Sequence, residues 1–69
     1  MASAEEIIRA IEARNDPMVI DAMLASMTPD VCLEYGLIVK HYLESEGFVV
    51  RLSPEEIGDR ARNRALTGK

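Results

Sequence analysis

Residues 28–47 read Thr-Pro-Asp-Val-Cys-Leu-Glu-Tyr-Gly-Leu-Ile-Val-Lys-His-Tyr-Leu-Glu-Ser-Glu-Gly, and this stretch decides the fold. Thr28 can cap a helix and Pro29 suits its first position, where a missing N–H costs nothing. Gly47 supplies a left-handed stop. Between them the spacing predicts the longest element of the chain, over about 29–46. Val31, Tyr35, Ile38 and Tyr42 fall on one line, flanked by Cys32, Val39 and Leu43, and Leu33 and Leu37 widen the apolar surface further. Only Asp30, Glu34, Lys40, His41 and Glu44 keep it wet. A helix this apolar is central, or it meets a partner on a second side.

The same punctuation recurs outward from that helix. Ser3-Ala4-Glu5-Glu6 is a capping box, with Ser3 and Glu6 able to satisfy each other's backbone N–H. A first helix is expected from there to about Arg14, with Ala4, Ile7, Ile8 and Ile11 as its apolar stripe. Asp16-Pro17 opens a second helix over about 17–27, whose stripe is Val19, Ile20, Met23, Leu24 and Met27. After Gly47, Phe48-Val49-Val50-Arg51-Leu52 is β-branched and reads as an extended segment. Ser53-Pro54-Glu55-Glu56 repeats the capping box and starts a fourth helix over about 54–66. That helix is poor in apolar residues (Ile57, Ala61, Ala65, Leu66) and carries Gly58, which costs about 1 kcal/mol relative to Ala in a helix interior. It is expected to fray unless docked.

The expected fold is therefore mainly all-α: a compact arrangement of three to four short helices with one short extended segment near 48–52, in a single domain over 1–69. The third helix is expected at the centre, with the first two packed on one side of it. A domain this small buries only about 60% of the surface its unfolded chain exposes. Its core rarely supplies more than about 3–5 kcal/mol. Disulfides cannot add to this, since Cys32 is the only cysteine, and one Cys with His41 falls short of a zinc site unless carboxylates join. With 48% hydrophobic residues there is enough for a core and some for an interface, so a homodimer is expected.

Charge narrows the function. The net charge of −4 argues against general nucleic-acid binding, which depends on neutralising phosphates. Residues 1–50 carry nine acids against three bases, a balance of −6, and residues 51–69 carry five bases (Lys69 among them) against three acids, a balance of +2. No run of residues is apolar enough to span a membrane. No secretory signal is read at the start. A lone thiol fits a reducing compartment, so the expected location is cytoplasmic, a host cytoplasm if the chain is phage-encoded.

No catalytic constellation emerges. Cys32 and His41, the only obvious nucleophile and base, stand nine residues apart on one helix, about 13 Å along its axis and on opposite sides of it. Metalloprotease, phosphate-loop, dinucleotide and nucleophile-elbow motifs are missing. Glu55-Glu56 is accounted for by the helix start. The chain is read as non-enzymatic, with no cofactor and no metal. Met18, Met23 and Met27 suit a core or an adaptable surface. Tyr35 and Tyr42 pose the same choice, tyrosine being enriched in interface cores. Arg60 and Arg64, four apart on one helical face beside the small Ala61 and Ala65, point to something outside the chain. The candidate partner-binding residues are Tyr35, His41, Tyr42, Arg60 and Arg64, tyrosine and arginine being frequent interface hot spots.

One stretch resembles a known family. Residues 48–57, Phe-Val-Val-Arg-Leu-Ser-Pro-Glu-Glu-Ile, are similar to the strand and first-helix start of ribbon-helix-helix repressors of the Arc and MetJ type. The resemblance implies a strand paired across a dimer, with Val50 or Arg51 among the residues entering the major groove. The departure is the family's second helix, which would fall beyond Lys69. In size and charge the chain also resembles the small acidic inhibitors and antiactivators made by bacteriophages. The expected function is a protein-binding regulator or inhibitor of another protein. The alternatives are a DNA-binding transcriptional regulator using a segment at 48–62 and a small structural subunit of an assembly.

Overall fold

The computed structural model describes residues 2–67, so Lys69, counted in the basic balance above, lies outside the described residues. Four helices follow one another: α1 (Ala4–Glu12), α2 (Pro17–Ala25), α3 (Pro29–Ser45) and α4 (Pro54–Thr67). Among the described residues there is no strand, and 48–52 is an unpaired connection. The mainly α fold expected from the sequence is the one observed.

Each helix begins where its capping residue dictates. The Ser3 hydroxyl accepts from the Glu6 backbone N–H at 3.2 Å, and the Ser3 N–H donates to the Glu6 carboxylate at 2.8 Å. Asp16 accepts from the Met18 N–H, and Thr28 from the Val31 N–H. Ser53 and Glu56 rebuild the reciprocal box at 3.2 and 2.9 Å. Two helices also end alike. The Phe48 and Gly47 N–H groups donate to the Leu43 and Glu44 carbonyls, a Schellman closure around Gly47 at φ 94°. The Asn15 and Arg14 N–H groups close α1 in the same pattern, but there the left-handed position, φ 56°, is held by Arg14.

The main packing seam joins α3 and α4, which run antiparallel with their backbones nearly touching. A Cβ built on Gly36 would strike the Pro54 backbone, and one on Gly58 would strike the Cys32 backbone. Small residues four apart on each helix, Cys32 with Gly36 and Pro54 with Gly58, face one another across this crossing. Gly58 therefore has a packing reason that outweighs its low helix propensity. The α4 helix is docked along its length, and Arg62 donates to the Met27 carbonyl at 3.4 Å while pairing with Asp59 at 3.6 Å. The Lys40 ammonium donates to the Leu52 carbonyl at 3.2 Å and holds the 48–53 connection against α3.

The core is small. Ile7, Met27 and Cys32 are buried together, and Ala2, Met23, Leu24, Val31, Tyr35 and Ala61 pack around them. Several expectations change here. The partner that seals α3 is α4, while α2 rests on α4 and α1. Ala61 packs on the core and Ala65 is half-buried, because small side chains let α4 come close. The stripe expected on α1 splits: Ala4, Ile7 and Ala10 turn inward, and Ile8 and Ile11 turn toward α3. No residue of α2 is fully buried. Of its expected stripe Val19 is exposed, and Met27 reaches the core from the turn after the helix.

Candidate functional site

The face of α3 toward α1 is built differently from the face toward α4. Its residues are large: Tyr35, Ile38, Val39 and Tyr42. They meet Ile8 and Ile11 of α1 across an open groove of about 340 Å³, with Glu12 at its edge. A second, shallower hollow of about 290 Å³ continues the seam past Ile8 and Ile38 between Glu5, Arg9 and Glu12. Bulky side chains hold the two helices apart here, whereas glycines bring α3 and α4 together. Tyr35 forms the inner wall: it packs on the core cluster, and burial pushes its phenol pKa up. Tyr42 stands at the outer end and remains 60% exposed, and Ile11 forms the opposite lip at 39%.

The five residues singled out in the sequence do not form one surface. Tyr35 and Tyr42 come together in the groove. His41 is exposed on α3, about a quarter turn or more around the helix from both tyrosines at 100° per residue. Arg60 and Arg64 are exposed on α4, on the side turned away from its glycine-lined face. The groove walls that sequence reasoning missed are Ile8, Ile11, Ile38 and Val39. Ile8 and Ile11 were expected in the core, and the signal that separates them from Ile7 is that Ala4, Ile7 and Ala10 already complete a buried line.

Chemistry in the groove is that of an apolar surface with charges at its margin. Cys32 is buried beneath α4, its thiol pKa raised first of all by desolvation, and His41 is exposed elsewhere. Among the described residues no three His, Cys, Asp or Glu side chains gather in a way that could hold a metal ion. No described helix is long and apolar enough to cross a membrane. Comparison with protein-family models, with curated proteins and with solved structures finds no match to this chain.

Proposed function

We propose that this chain is a non-enzymatic protein-binding module, a small regulator or inhibitor of another protein, and that it docks its partner in the α1–α3 groove. One observation carries the reading. In a molecule whose buried core is reduced to a few side chains, two tyrosines, three isoleucines and a valine line an open seam. Tyrosine anchors with aliphatic neighbours are the composition of interface hot spots. The site of action is a reducing cytoplasm, in keeping with a free thiol.

The test is capture from a cytoplasmic extract by the parent chain and by an Ile11→Glu/Tyr42→Ala variant. Both residues are exposed enough for the fold to survive, which circular dichroism checks. A protein retained by the parent and lost with the variant supports the reading. Equal retention, or recovery of nucleic acid with a steep loss on adding salt, would move function to the exposed arginines of α4.

A second surface supports self-association. Leu33 and Leu37 are one turn apart on the flank of α3 opposite the groove, and Leu37 is 51% exposed. We read this flank as the contact of a homodimer. Sedimentation equilibrium at micromolar concentration should return twice the 7.7 kDa chain mass, and Leu37→Glu should halve it. A parent chain that stays monomeric at near-millimolar concentration removes the dimer.

A further inference from the structure

Resting on the reading of the α1–α3 seam as a docking surface, we infer that its occupant is an amphipathic helix of another protein, apolar on one face and basic along its edges. The floor is apolar and elongated. From Tyr35 to Tyr42 it covers two turns of α3, about 10 Å at 1.5 Å per residue. That length accepts side chains at i, i+3 or i+4, and i+7 of an incoming helix, the spacing by which helices seat in grooves. The margin is acidic. Glu5 and Glu12 stand on the α1 side with Arg9 as the one cation between them. These charges belong to the part of the chain whose balance is −6. Lysine or arginine flanking an apolar stripe is what such a margin attracts, and an acidic helix of the same shape is repelled.

A second copy of this chain does not meet these requirements. Its basic helix is α4, but the outer face there carries Glu56, Arg60, Asn63, Arg64 and Thr67, all exposed and none apolar. The small and apolar side of α4 is already spent on Cys32, Gly36 and the core, which leaves Leu66, 63% exposed near the end of the helix, as a single apolar residue with no stripe around it. The groove thus asks for a basic helix with an apolar stripe, which α4, the basic helix of this chain, does not present.

The 69-residue chain, isotopically labelled, is titrated with three synthetic peptides of about 14 residues, stapled because free helices below about 12–15 residues are marginal in water. The first has leucines at i, i+3, i+7 and i+10 with flanking lysines. The second keeps the leucines and replaces lysine by glutamate. The third has the composition of the first in scrambled order, with no apolar face. The first peptide should bind and shift the amide signals of residues 8–12 and 35–42. The second should bind about tenfold more weakly or worse, and the third should leave the groove signals in place. In the Glu5→Lys/Glu12→Lys variant the preference between the first two should reverse. The inference is overturned by equal binding of the lysine and glutamate peptides, by equal binding of the scramble, or by groove signals that move on dilution of the chain alone, which would identify a second copy as occupant. If no peptide binds while the captured protein still depends on Ile11 and Tyr42, the helix is wrong and the docking surface stands. If that dependence is absent as well, both fall.

Discussion

The two sides of α3 solve the same packing problem in opposite ways. Toward α4 the helix presents Cys32 and Gly36, and the partner answers with Pro54 and Gly58, so that backbone meets backbone. Toward α1 it presents Tyr35, Ile38, Val39 and Tyr42, and a groove remains open. Close packing of small residues removes all room for a ligand and fixes the crossing rigidly, since any added atom has nowhere to go. Large side chains that meet at an angle leave solvent-facing apolar area, which is a binding surface in waiting. Stability is thus concentrated on one flank of the helix, and the other is the flank proposed for recognition.

The strongest way to break this comparison is to add one methyl group to the sealed side. Gly36→Ala and Gly58→Ala should each destabilise the chain by about 3 kcal/mol or more, at the upper end of overpacking effects because the obstacle is backbone and cannot change rotamer. Helix propensity alone predicts the reverse, a gain of about 1 kcal/mol. The sign of the shift in urea midpoint decides between them. On the open side, Ile11→Ala and Tyr42→Ala should each cost only about 1 kcal/mol, since both side chains are partly solvated already. A large loss there with none at the glycines would reverse the assignment of the two flanks.

How far this contrast was legible in the sequence follows from what each signal encodes. Helix starts are local: a hydroxyl or carboxylate three residues before a free N–H, with Pro at the first position, settles them at Ser3, Asp16, Thr28 and Ser53 without tertiary information. The α3–α4 seam is not local. A lone Gly58 reads as a weak point, and Gly36 inside an apolar run draws no notice. Only their joint spacing, each four residues from another small or backbone-restricted residue, hints at a close crossing. The groove was half legible. Tyr35 and Tyr42 stood out by their line on α3, but the division of α1 into an inward line of Ala4, Ile7 and Ala10 and an outward Ile8 and Ile11 depends on where α3 lies. His41, Arg60 and Arg64 drew attention by residue type, and residue type carries no information about which surface a side chain shares.

A smaller effect tests the ends of the sealed flank. Ser53 caps α4 next to the Pro54 crossing, and Ser53→Ala should cost about 1 kcal/mol. Its partner Glu56, like Glu6 at α1, is held below the ordinary glutamate pKa, chiefly by the backbone N–H it accepts from Ser53 (Ser3 for Glu6). A depressed folded-state pKa means the unfolded chain binds protons more readily. The contribution is therefore complete above the ordinary glutamate value and lost as pH falls through the lowered one. Urea midpoints recorded down through that acid range should decline less steeply in Glu6→Gln and Glu56→Gln, because glutamine can accept the same hydrogen bond without titrating. An unchanged slope would mean that other carboxylates govern acid stability.

The smallest expected change is a gain, and it lies next to the groove. Arg14 occupies the left-handed position that ends α1, where Gly47 serves the same role after α3. A side chain in that conformation is strained by about 1 kcal/mol, because its Cβ crowds the backbone carbonyl. Glycine removes the crowding but gives the unfolded chain more freedom to lose. The strain term is the larger of the two, so Arg14→Gly should stabilise the chain by about 0.5 kcal/mol, visible as a rise of a few degrees in Tm for a domain of this size. Both closing hydrogen bonds, from Arg14 to Ile11 and from Asn15 to Ala10, are backbone bonds and survive the change. Because the Ile11 carbonyl is one of their acceptors, a better-formed turn also fixes the lip of the groove. Affinity for the lysine-flanked peptide should then hold or rise slightly in this variant. A fall in Tm would show that the guanidinium makes a contribution outweighing the strain of its backbone.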